Sequence, residues 1–158
     1  MIHAFLTLIF ILAVTLYIGF EQPARKLLWR QNAGWIMTAV AFPIVGSILS
    51  VMFGGRLGNF LLHAVGGGMA TAFIYEYIRR LTAFQLNWRL NLIGVFMLAA
   101  ALGVLNELAE FAAELLHVGV FSFDTQDTWR DLAANTAGVL VAWFLVILLT
   151  RRGRFAKK

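Results

Sequence analysis

Polar side chains that could do chemistry fall in three short stretches of this sequence, each set among long apolar runs. The first, NFLLHAVGGG, carries His63 one helical turn before Gly67. The second, NELAEFAAE, carries Asn106, Glu107, Glu110 and Glu114, and spacings of three and four put the glutamates on one helical face. The third, DTQDTWRDLAANTAG, carries Asp127, Arg130, Asp131 and Asn135, with Asp127, Asp131, Asn135 and Gly138 again sharing a face. An imidazole with several carboxylates is a donor set for a divalent cation, which would bind a phosphate head and polarise it. On this reading His63, Glu107, Glu110 and Asp131 are candidate metal ligands, and Glu107, Glu110 and Asp131 are the candidate catalytic groups. His63, Asp127, Arg130 and Asn135 would hold the substrate. The chain has no cysteine and no clear Ser–His pair, so thiolate ligation and acyl chemistry are not expected.

The elements that must position these residues are membrane spans. Of 158 residues, 61% are hydrophobic and only 13% charged, about half the charged fraction of an ordinary soluble domain. A soluble core of this size could not bury so many apolar side chains. Spans need roughly 20 apolar residues, and five stretches qualify: 2–20, 35–53, 59–78, 90–117 and 128–150. The first lacks a basic leader and a small-residue cleavage site, and reads as a retained anchor. The second contains Pro43, which removes a backbone donor and predicts a kink near Ala39. No linker divides the chain, so the expectation is a single all-α domain over 1–158, a polytopic helical bundle in the membrane.

Orientation follows from the placement of basic residues. Arg25, Lys26 and Arg30 follow the first span, Arg79, Arg80 and Arg89 the third, and Arg151, Arg152, Arg154, Lys157 and Lys158 the fifth. The opposite side has only Arg56 and Arg130. This alternation predicts the N-terminus outside and the C-terminus in the cytoplasm of a bacterial inner membrane. Trp29, Trp35, Trp88 and Trp129 fall near the interfaces, as belt residues do. The formal charge of +5 therefore reflects topology, and no nucleic-acid partner is expected. Counting 1.5 Å per residue, His63 lies about 6 Å in from the outer end of its span, Glu107 to Glu114 roughly 5–15 Å, and Asp131 and Asn135 about 5–12 Å. Three helices thus present polar groups at one depth.

Blander readings apply to several of these residues. Glu114 and Asp124 fit the headgroup zone as solvated carboxylates. Glu107 or Glu110 could pair with Arg130 in a dry ion pair. The triplet Gly66, Gly67 and Gly68 reads better as close helix packing than as a phosphate cradle. Glu76 is explained by i,i+3 and i,i+4 pairing with Arg79 and Arg80. Asn135, an amide inside a span, wants partners.

The three polar stretches together resemble the VanZ-like membrane proteins and their YjdF-type relatives. The shared pattern is a His near the start of one span, a Glu-rich span, and an acidic D…D…N..G motif opening the last. The matching positions are His63, Gly67, Glu107, Glu110, Asp127, Asp131, Asn135 and Gly138, within 59–141. Asn59 stands near the place of the family's usual Asp, and Glu110 replaces a VanZ-type Gln; both differences favour the YjdF-type branch. The resemblance implies a membrane bundle with a site, and one member's association with glycopeptide resistance implies an envelope role. Four functions compete: a site for a lipid or lipid-linked phosphate at the outer leaflet, a scaffold or subunit held together by structural polar groups, a transporter component in a homo-oligomer, and a lipid kinase. The kinase needs its site on the cytoplasmic side, where ATP is, against the topology expected here.

Overall fold

Two consecutive glycines turn the chain back between Phe53 and Leu57. In the computed structural model, which describes residues 33–82, 86–117 and 125–155 together with positions 9, 13 and 17, helix α1 (Ala33–Phe53) ends at Gly54 and Gly55, with φ of 62° and 49°. Side chains other than glycine rarely adopt that left-handed backbone, so the sequence GG permits a reversal with one non-helical residue. The returning helix α2 (Gly55–Leu61) lies so close that a Cβ on Gly58 would stand 2.5 Å from the Ser50 carbonyl oxygen. α1 has 21 residues, about 31 Å of rise, enough to cross a hydrocarbon layer of about 30 Å. It runs on through Pro43 without a break in the helix assignment.

α2 passes directly into an eight-residue π-helix (Leu62–Met69) and then α3 (Ala70–Leu81). A π-helix this long is rare and places its residues in a register that an α-helix would not give. The glycine triplet lies within it, with Gly66 against α1 and both Gly67 and Gly68 against Asn135. A Cβ added to Gly46 of α1 would stand 2.7 Å from the Gly66 nitrogen. One on Gly67 would overlap the Asn135 carboxamide oxygen, and one on Gly68 the Asn135 backbone oxygen. The triplet is therefore packing, with α1 on one side and α5 (Thr125–Phe155) on the other. Gly138 of α5 seats against the Ala64 carbonyl in the same way.

The fourth helix, α4 (Trp88–Leu115), is capped by Asn87, whose backbone is extended and whose side-chain oxygen accepts the Leu90 N–H at 3.0 Å. It ends at Leu115, two residues short of the expected limit at 117, and His117 just beyond it lies in the left-handed region. Tyr75 donates to Asn91 at 3.0 Å and meets the Trp143 ring edge-on, tying α3, α4 and α5 together. Ala39, Ile74, Val95, Val139 and Val146 form a buried apolar core. Outward-facing apolar residues such as Met37, Val51, Met97 and Phe144 are largely exposed, an arrangement suited to lipid.

Among the described residues there is no strand, and four helical stretches are long and apolar enough to cross a membrane: Ala33–Phe53, Gly55–Arg80, Trp88–Leu115 and Gln126–Leu148. They correspond to the second to fifth expected spans, the third beginning several residues earlier because α2 continues into the π-helix. The expected first span, 2–20, and the basic cluster Arg25, Lys26 and Arg30 lie outside the described residues apart from positions 9, 13 and 17. At one end of the bundle, Glu76 is buried and accepts from Arg79 and Arg80 at 2.6–2.8 Å, as its spacing predicts. Arg80 stacks on Trp35 at 4.5 Å, closing this end over α1.

Backbone contact at Gly138 leaves no room for a methyl group. Gly138→Ala should destabilise the protein by about 1–3 kcal/mol, as overpacking usually does. Gly34→Ala, where nothing lies within 4 Å, should be neutral or slightly stabilising. Thermal melting of both variants in one detergent checks this, and equal melting temperatures would disprove the close approach.

Candidate functional site

The antiparallel order of the helices brings the N-terminal end of α2 and the π-helix, the C-terminal end of α4 and the N-terminal end of α5 to the face opposite the Glu76 cluster. That is where the three polar stretches meet. Asp131 is the centre. It is 3% exposed, and each of its oxygens meets a side chain from the facing helix. Asn59 Nδ2 donates to Oδ1 at 2.8 Å, and His63 Nε2 lies 3.1 Å from Oδ2. Asn59 and His63 are four residues apart, so one helical face clamps both carboxylate oxygens.

Glu107 completes the group from α4. Its ligand atom and those of His63 and Asp131 all lie within 4.8 Å of one another. Three ligands about 2.0–2.2 Å from one ion stand roughly 3–4 Å apart, so a pair at the 4.8 Å limit would close by about 1 Å on a cation. The 3.1 Å between His63 and Asp131 already matches neighbouring ligands around such an ion, which stand roughly 3 Å apart. One imidazole and two carboxylates would leave further positions open, as in catalytic rather than structural metal sites.

Glu110 lies one turn farther along α4 and is 8% exposed. Its Oε1 accepts from Asn106 Nδ2 at 2.8 Å, and it stands outside the group that comes within 4.8 Å. Asn135 lies one turn beyond Asp131, buried, its amide set between Gly67 and Gly103. Its Oδ1 accepts no hydrogen bond among the described residues and occupies the place a Cβ of residue 67 would take. Asp127 is buried one turn before Asp131. Arg130 faces outward and donates to Gln126 at 3.0 Å, so the hydrogen bond it makes is to a neutral amide and not to Glu107 or Glu110. Asp124 lies outside the described residues.

A cleft of about 200 Å³ opens beside the group, lined by Arg56, Asn59, Phe60, Asp127, Arg130 and Asp131. Asp131 belongs to both the cleft and the cation-competent group. Asn59 and Arg56 were not among the site residues expected from sequence. Their signal was the spacing in RLGNFLLH, where Arg56, Asn59 and His63 recur at three and four residues on one face.

Several carboxylates crowded at one end of an apolar bundle repel one another. Gln at position 110 can still accept from Asn106, so Glu110→Gln should hold or raise the melting temperature when divalent ions are chelated. A large drop would show instead that the Glu110 charge is held by a structural partner, since breaking a buried pair costs about 3–5 kcal/mol.

No curated protein and no solved structure matches the chain. Residues 58–152, which contain all three polar stretches, match the model of one family, described as Predicted membrane protein (DUF2238), in agreement with the YjdF-type branch of the resemblance. Helices of spanning length and this match over more than half of the sequence lead to one conclusion: the chain is a membrane protein of the DUF2238 family.

Proposed function

We propose that the chain is a multi-pass bacterial inner-membrane protein, folded as one domain, that holds a divalent cation on His63, Glu107 and Asp131 near its outer face and through it binds or acts on a lipid or lipid-linked envelope precursor. The observation that carries the reading is that Asp131 is shared between the cation-competent group and the cleft. A ligand entering the cleft would thus reach the cation directly. The similarity to VanZ-like proteins supports an envelope role for it. Glu107 and Asp131 are the groups at which chemistry would occur, with Glu110 and Asn106 behind them as an oriented polar pair. Asp127, Asn135 and Arg130 border the ligand side.

The buried apolar side chains of Val95, Val139 and Ala142, between this site and the Glu76 cluster, count against a transport path among the described helices. A homo-oligomer is compatible with the reading, since one chain supplies all three ligands. A purely structural role is the second reading. It is favoured by one fact: Asn59 and His63 already engage both oxygens of Asp131.

Purified protein should melt at higher temperature in Mn²⁺ or Mg²⁺, because a ligand that binds only the folded state stabilises it by about 2.7 kcal/mol at a hundred times its Kd. Glu107→Gln and Asp131→Asn should remove that increment while the protein still folds. No ion effect in the wild type would leave the structural reading. Orientation is separately checkable: reporter fusions after Arg89 and after Lys158 should report cytoplasm, and one within 122–126 the outside. A cytoplasmic signal from 122–126 would place the site on the ATP side and return the kinase reading.

A further inference from the structure

From the geometry of the cleft we infer that the ligand is a phosphomonoester, its phosphoryl oxygens held by Arg56 and Arg130 and one of them directed to the cation at His63, Glu107 and Asp131. This rests on the cation site proposed above and names the chemistry of its ligand. Three observations lead to it.

The first is charge. Asp127 and Asp131 lie in the cleft wall and Glu107 beside it, so an anion could not enter on its own. A divalent cation and two guanidiniums bring four positive charges against four carboxylates, Glu110 included, so the acidic end would no longer repel an anion. Arg130 gives its hydrogen bond to neutral Gln126, and Arg56 makes no ion pair among the described residues, so both cations remain available to a ligand. Guanidiniums offer planar, paired donors that fit phosphate oxygens.

The second is size. The cleft has a volume of about 200 Å³. Ordinary small-molecule pockets run from about 300 Å³ upward. A phosphoryl group with part of its hydration fits, whereas a sugar-bearing headgroup would have to project from the mouth. The third is composition. Phe60 is the one apolar residue of the lining and is exposed, as are Leu57 and Val51 nearby in sequence on the same hairpin. An acyl or prenyl tail leaving the cleft would meet a surface already apolar. Mg²⁺ is usually bound by one or two carboxylates together with phosphate oxygens of the substrate, and Glu107 and Asp131 would supply the carboxylates.

A terminal phosphate could come from a lipid or from a soluble compound, and the test separates the two. Full-length protein in nanodiscs of uncharged lipid, with Mn²⁺, would be titrated with dioleoyl phosphatidic acid, dioleoyl phosphatidylglycerol, methyl phosphate and inorganic phosphate, reading binding by native mass spectrometry and by the shift in melting temperature. The expected result is retention of phosphatidic acid over the diester phosphatidylglycerol by about tenfold or more, a margin worth roughly 1.4 kcal/mol. Arg56→Gln and Arg130→Gln should each weaken phosphatidic acid binding by about tenfold, as loss of one charged hydrogen bond does, and leave the Mn²⁺ stabilisation unchanged. Methyl phosphate or inorganic phosphate competing at similar concentrations would identify the phosphoryl group itself as the recognised part. Binding of phosphatidic acid without competition from either would make the lipid the ligand.

Equal retention of monoester and diester, or arginine variants that bind like wild type, would overturn the inference while Mn²⁺ stabilisation kept the cation site standing. Loss of Mn²⁺ stabilisation in the wild type would overturn the underlying reading, and with it the cation-directed oxygen.

Discussion

Backbone contact between the π-helix and α5 is the constraint on which the rest of the molecule depends. Gly68 and Gly138 let the two main chains touch at Asn135 and Ala64, with no side chains between them. Lipid tails are as apolar as leucine, so helices in a membrane gain little from hiding apolar surface from one another. What holds them is dispersion at short range and hydrogen bonds between polar groups. Both are present at this interface. Close approach of the backbones brings Asp131 within reach of Asn59 and His63, and Asn135 into the hollow at Gly67.

The polar groups could not stay in the bundle otherwise. An unpaired charge in a span costs about 2.5–3.5 kcal/mol on insertion scales. Asp131 meets two side-chain partners, Glu110 meets Asn106, and Glu76 at the opposite end meets two arginines. The two ends differ in kind. Opposite charges meet directly around Glu76, with one carboxylate between two guanidiniums. Around Asp131, carboxylates from two helices face an imidazole and amides, and the nearest arginines stand at the cleft mouth. The first arrangement is complete in itself. The second is the one that a cation would complete.

Much of this was legible in the chain. Hydropathy located four of the helices within a few residues, because length and apolarity are what a membrane selects. Spacings of three and four placed Glu107, Asp127, Asp131 and Asn135 on inward faces, since helical periodicity depends on backbone geometry alone. The π-winding of Leu62–Met69 was not legible, because no residue propensity specifies an i→i+5 ladder and the packing of α1 and α5 on three glycines has to be seen. Glu110 shares a face with Glu107, yet its carboxylate turns back to Asn106, a choice of rotamer that spacing does not contain. Arg130 could have served as a glutamate partner by depth, but its position on α5 points it outward. Asn59 stood out only as lying near the place of the family's usual Asp, because its partner is 72 residues away and the spacing around it does not reveal the contact.

That separation has a consequence for how the protein is made. The one-residue turn at Gly54 joins α1 and the next helix so tightly that they can enter the bilayer together as a hairpin. Asn59 and His63 then arrive first, whereas Asp131 follows 72 residues after Asn59. At roughly 5–20 residues per second, ribosomes need about 4–15 s to cover that stretch. For that time the half-built bundle exposes an amide and an imidazole along a glycine seam that nothing yet fills. The acidic N-terminal end of α5 must then be carried into the membrane to meet them, so the seam closes on a segment that bears charge.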